Sequence, residues 1–92
     1  MAKLKIFTII VNKTEDYETS TRVSSYKFKE NAINVLKGWV EQYYMPKAIE
    51  NDWFIDKNNE MCFSAGVEGD FYKESIKAKI IENEVNDYSI GE

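Results

Sequence analysis

The chain has no histidine, and only one cysteine, one proline and one arginine. Each scarcity removes a class of function. Without histidine, no Ser–His or Cys–His pair can generate a nucleophile. A lone cysteine cannot close an internal disulfide, nor can it anchor a zinc site without histidine partners. Cys62 lies between Met61 and Phe63, a setting that predicts a buried, unreactive thiol. No apolar run is longer than Ile6 to Val11, far short of the ~20 residues of a membrane span. The opening MAKLKIFTIIVNK has a basic end and a short apolar stretch but no small-residue cleavage site. Its alternation predicts the first strand of a cytoplasmic protein.

Nucleic acid is poorly served by a single arginine and a pI near 4.9. Lys3, Lys5, Lys13, Arg22, Lys27, Lys29 and Lys37 do populate the first half. The aromatic-and-glycine run of an RNA-recognition motif is missing, and the overall charge opposes phosphate, so direct nucleic-acid binding is not expected.

Glycine and acid motifs also fall short of chemistry. Gly66-Val67-Glu68-Gly69-Asp70 has neither the spacing nor the lysine of a phosphate-binding loop, and its acids would repel phosphate. Asp56-Lys57-Asn58-Asn59-Glu60 starts like a calcium-binding EF-hand loop. That loop needs Gly at its sixth position and Glu at its twelfth, where this chain has Met61 and Val67. Carboxylates are plentiful, but each sits among polar or turn residues, where nothing raises a pKa for acid–base work. The reading is of a protein that is not an enzyme and holds no metal or cofactor.

What is present describes a folded domain. Aromatic residues make up 14% of the 92 residues, which excludes a disordered composition. A chain of this length forms one domain, residues 1–92, able to bury roughly 60–65% of its extended surface. Lys3 to Val11 is apolar on both faces near its centre, as a middle strand is. Lys13 to Asp16 reads as a polar turn. Tyr17, Thr19, Thr21 and Val23 alternate with Glu18, Ser20 and Arg22, predicting a half-buried second strand.

After Ser25 the period lengthens. Phe28, Ala32, Val35, Leu36, Trp39, Val40 and Tyr43 form one stripe of a helix, capped by Ser24 or Ser25 and ended or kinked at Pro46, with room for one more turn over Lys47 to Asn51. On this reading Gly38 allows close packing, and Tyr44 falls off the stripe. Trp53-Phe54-Ile55 and Met61-Cys62-Phe63, joined by Asp56 to Glu60, predict a hairpin. Ile76, Ala78 and Ile80 alternate with Lys77 and Lys79 and predict a fifth strand over about Tyr72 to Glu82. A helix capped by Asp70 is the competing reading there. Val85, Tyr88 and Ile90 give the tail something to bury. The layout is α+β: a two-layer ββαβββ fold with one long amphipathic helix on one face of a twisted antiparallel sheet.

The net charge of −4 is unevenly spread: residues 1–46 carry +2 and residues 47–92 carry −6. If the halves occupy different faces, one face is acidic and suits a basic partner. Lysine in place of arginine, with many Ile, Asn and Tyr, is the usage of an AT-rich genome, such as a low-GC bacterium or a phage or mobile element within one. Together these features predict a small protein-interaction module that acts by occupying a surface, of the inhibitor or adaptor kind. Its acidic half would cover the basic groove of a nucleic-acid-handling protein. The expected contact charges are Asp52, Asp56, Glu60, Glu68 and Asp70, with Trp53 and Tyr72 as apolar anchors. The alternative is an accessory subunit that self-associates, as a homodimer, through its open sheet face or an edge strand.

Overall fold

A computed structural model describes residues 3–86, and side chains for 4–84. The chain runs β1 (Lys3–Glu15), β2 (Glu18–Tyr26), α1 (Lys29–Trp39), a π-helical segment (Val40–Tyr44), α2 (Met45–Glu50), β3 (Phe54–Asn58), β4 (Cys62–Gly66) and β5 (Glu74–Asn86). The strands form one antiparallel sheet in the order β2-β1-β5-β4-β3. Helical residues from Lys29 to Glu50 run continuously across one face, carrying the chain from the β2 edge to the opposite edge at β3. This is the α+β arrangement the residue pattern predicts. The apolar first strand is indeed central, and the fifth segment is a strand. Tyr88 and Ile90 lie outside the described residues, as does the side chain of Val85.

Register decides which residues meet the helix. Opposite residues on neighbouring strands share a face, so Ile9 and Val11 of β1 lie opposite Ile80 and Ala78 of β5, Ala78 and Ile76 lie opposite Phe63 and Ala65 of β4, and Phe7 shares their face. These residues are buried against Ala32, Leu36, Tyr44, Ala48 and Trp53. Gly66 is required where β4 meets β5, because an added Cβ would lie 2.6 Å from the Glu74 carbonyl oxygen. Gly38 has no such role, since a Cβ there meets nothing within 4 Å. The close packing expected of it is absent.

Three further expectations are corrected. The helix does not end at Pro46. Met45 keeps helical angles (φ −67°, ψ −46°) and its N–H donates to the Val40 carbonyl five residues back. This wider turn relieves the clash a proline ring makes with the preceding turn, so the helix passes through. The same wide turn shifts the end of the stripe, so that Tyr44 is buried and Tyr43 is 61% exposed, whereas Phe28 is 66% exposed because it precedes the helix in an extended conformation. Finally, Ser24 and Ser25 lie in β2 and cap nothing; the residue preceding α1 is Phe28, with no side-chain cap.

The second strand also differs from its reading. As an edge strand it is exposed at every residue from Glu18 to Val23. Its pairing puts Ser20, Arg22 and Ser24 on the helix side, opposite Lys13, Val11 and Ile9, and leaves Thr19, Thr21 and Val23 on the open face. Arg22 packs over the Trp39 ring, 5.9 Å from its centre.

Candidate functional site

The opening hairpin is closed by two residues, Asp16 and Tyr17, both at positive φ (50° and 69°). Two-residue hairpins favour this geometry because it matches the strand twist, and Asn-Gly normally supplies it. Here neither residue is glycine. A tyrosine held there costs on the order of 1–3 kcal/mol. It is kept in place from outside the hairpin: the Tyr17 N–H donates to the Lys73 carbonyl at 3.2 Å, and its hydroxyl reaches Asp70 Oδ2 at 3.5 Å. The ring remains 64% exposed.

Around this turn the sheet gathers acids. Glu18, Glu15 and Glu74 face one another across β2, β1 and β5, a row of carboxylates at cross-strand spacing of about 5 Å. Asp16 sits in the turn itself, and Glu68 and Asp70 belong to the neighbouring β4–β5 loop. That loop folds on itself, with Asp70 Oδ1 accepting from the Lys73 N–H. At its tip Tyr72 is 83% exposed. Lys47 is the cation tied into the rim: its Nζ lies 3.2 Å from Glu15 Oε1 and also over the Trp53 ring. Like charges directly opposite on a sheet are destabilising. Lys47 offsets this at Glu15, whereas Glu18 and Glu74 flank it from the two neighbouring strands.

The expected contact residues divide. Glu68, Asp70 and Tyr72 share the rim. Asp52 adjoins it but serves the backbone: at φ 55° it follows α2 in the left-handed conformation that ends many helices. Its N–H donates to Ile49 O, and the next N–H, of Trp53, donates to Ala48 O at 2.8 Å. Trp53 is only 9% exposed and belongs to the core, so it is no surface anchor. Asp56 and Glu60 lie apart. β3 carries Asp56 away from the rim, and Glu60 follows Asn58, about 13 Å along the strand from Phe54. Glu15, Asp16, Tyr17, Glu18 and Glu74 escaped the sequence reading. The available signal was a Glu-Asp-Tyr-Glu run in place of a turn dipeptide.

Elsewhere the surface offers less. The open face carries Ile6, Ile10 and Ile81, all half-buried, beside Lys77 and Lys79. Hydroxyl and amide pairs lace its β1–β2 half: Thr8 with Ser25, Thr14 with Thr19, and Thr21 donating to Asn12. Phe54 and Ile55 are 47% and 39% exposed at the far edge. The N- and C-terminal halves interleave, because β5 pairs with β1 along its whole length. Charge asymmetry along the sequence thus becomes an acidic end, with lysines on the open face.

A groove of about 690 Å³ runs between the helix and the β3–β4 turn, lined by Ile33, Val40, Met45 and Ile49. Cys62 is half-buried, not buried as expected, and the Asn59 amide donates to its sulfur at 3.3 Å. The Asn59 side-chain Oδ1 accepts from the Met61 and Cys62 N–H groups, so the segment that resembles a calcium loop is the end of β3 and the hairpin turn that follows it. Among the described residues, no three His, Cys, Asp or Glu side chains are grouped to hold a metal. No described helix is long and apolar enough to cross a membrane. Set against protein-family models, curated proteins and solved structures, the chain matches none.

Proposed function

We propose that the protein is a binding module that works by occupying a surface, and that the acidic rim is the part that docks. One observation carries this reading: the rim maintains an unfavourable arrangement. A tyrosine sits at positive φ where glycine would relax the turn, and three glutamates stand in a row. Strain and like-charge crowding persist where function requires them. Tyr17 and Tyr72, both exposed, offer the aromatic contacts that anchor protein interfaces.

The partner that fits is a protein with a basic groove, and the charge pattern of the rim resembles a phosphate-rich ligand. An inhibitor or adaptor acting on a nucleic-acid-handling protein is the corresponding role. The accessory-subunit alternative through the open face is less favoured, because that face is laced with hydroxyl pairs and lysines.

The test compares two variants in an affinity capture from a low-GC bacterial lysate, eluted by salt and read by mass spectrometry. Asp16→Asn with Glu68→Gln and Glu74→Gln neutralises the rim. Asp56→Asn with Glu60→Gln removes the same kind of charge elsewhere. A basic protein held by wild type and by the second variant, but lost by the first, supports the rim; equal retention by both overturns it. Elution at moderate salt is expected, since exposed charge pairs are screened.

A further inference from the structure

The two edges of the sheet are treated differently. β3 is five residues long, its register with β4 slips between Ile55 and Lys57, and it places Asp56 and Lys57 on the edge. Shortness, an irregularity and charge are the devices that keep an edge from pairing with another chain. β2 has neither of the first two, and its charges are Glu18 and Arg22 alone. It is nine residues long and pairs with β1 without a break from Glu18 to Tyr26. It has no proline, and between Thr19 and Tyr26 its only charge is Arg22. Its threonines and valine favour an extended strand.

We propose that the β2 edge is a self-pairing surface. Two copies join residues Glu18–Arg22 of their β2 strands antiparallel about a two-fold axis through Ser20, making one continuous sheet with Arg22 of each copy opposite Glu18 of the other. A two-fold axis normal to the sheet keeps both helices on the same side, and charge selects among the registers it allows. With Arg22 on the axis, two guanidinium groups would oppose each other. With Thr21 there, Arg22 would face Ser20. With Ser20 there, both arginines face glutamates and Thr19 faces Thr21. Opposite residues of an antiparallel pair have Cβ atoms about 5 Å apart, within reach of an ion pair. Arg22 and Glu18 both lie on the helix side of the strand, as this pairing requires. The contact is smaller than that of an obligate dimer, so a concentration-dependent equilibrium is expected.

The decisive experiment is sedimentation equilibrium on wild type, on Arg22→Glu, on Glu18→Arg, and on a one-to-one mixture of the two variants. Wild type is expected to dimerise reversibly. Each variant alone juxtaposes like charges twice and is expected to dimerise about tenfold more weakly or worse. In the mixture every 22–18 contact joins opposite charges, so a heterodimer of near wild-type affinity should form. Arg22→Glu also removes the contact with Trp39, so circular dichroism checks that each variant is folded. Should Arg22→Glu fail that check, Glu18→Arg against wild type still decides by its weakened dimer. A wild-type protein that stays monomeric at all concentrations overturns the proposal. So does a dimer indifferent to Glu18→Arg, or two folded variants whose mixture forms no heterodimer.

Discussion

Tyr17 shows how much one side chain can cost and what that cost implies. Its backbone is in a region that glycine enters freely and tyrosine does not. The bond from its N–H to Lys73 O and the contact with Asp70 restrain a turn that would otherwise relax. Tyr17→Gly is therefore expected to stabilise the fold by about 1 kcal/mol, raising Tm by roughly 4–8 °C for a domain of this size. Capture of the basic partner should fall in the same variant. Thermal denaturation and the capture assay measure the two effects. A lower Tm, or capture that is unchanged, would contradict this account of the turn. Asp52 is the instructive contrast: it too has positive φ, yet its place is explained by the helix end it closes. Neither position can be read from residue type, because both depend on φ.

The helix illustrates a pattern that is legible in kind and in phase from Ala32 to Val40, where Ala32, Val35, Leu36, Trp39 and Val40 all meet the core, and that fails beyond it. Apolar residues at three- and four-residue spacing specify a helix over the right part of the chain. The buried set, however, is Ala32, Leu36, Tyr44 and Ala48, separated by multiples of four. An α-helix drifts ~40° for each step of four residues, so these side chains would spiral off the sheet. Underwinding from Val40 to Tyr44 recovers part of that drift and brings Tyr44 against Phe63, ring centres 6.2 Å apart. Burial then pushes the Tyr44 phenol above its ordinary value, with the Arg22 charge opposing. Because the folded value lies above the unfolded one, this stabilisation is complete below about pH 10. It is lost as pH rises through the folded value. Tm measured from pH 8 upward should fall less steeply above pH 10 in Tyr44→Phe than in wild type. Identical slopes would mean that Tyr44 is not held neutral by the fold.

The described residues form a slender body of 49 × 24 × 17 Å, and its length follows from the thirteen-residue strands β1 and β5, each about 43 Å long. These two strands are central, hydrogen-bonded to each other and to a further strand on their outer sides. Local opening starts where few contacts must break. Amide hydrogen exchange should accordingly be slowest at Ile9, Val11, Ala78 and Ile80 and fastest along β3, whose residues are all exposed. Protection of β3 equal to that of β1 would point to cover over that edge. The same topology sets the electrostatics. Pairing of β1 with β5 in opposite directions brings Glu15 beside Glu74, and the adjoining hairpin adds Glu18.

Alternation, the change of period after Ser25 and the turn residues suffice for the first four strands and the helix in outline and for the α+β class, because these are local properties of the backbone and of which side chains avoid water. The fifth segment fits a strand or a helix by residue pattern alone, and its pairing with β1 and β4 decides for the strand. The same local chemistry separates a hairpin from a calcium loop at Asp56–Glu60, although β3 runs on to Asn58 and the turn is shorter than the residue types suggest. Strand order, the side of β2 that meets the helix, the phase of the helix beyond Val40 and the meeting of Glu15, Glu18, Glu74 and Asp70 follow from contacts between residues far apart in the chain. Which strand lies at an edge fixes whether its alternating pattern is buried at all. Val23, 58% exposed, and Ile9, fully buried, are both apolar residues of alternating strands, and only the neighbours on either side distinguish them.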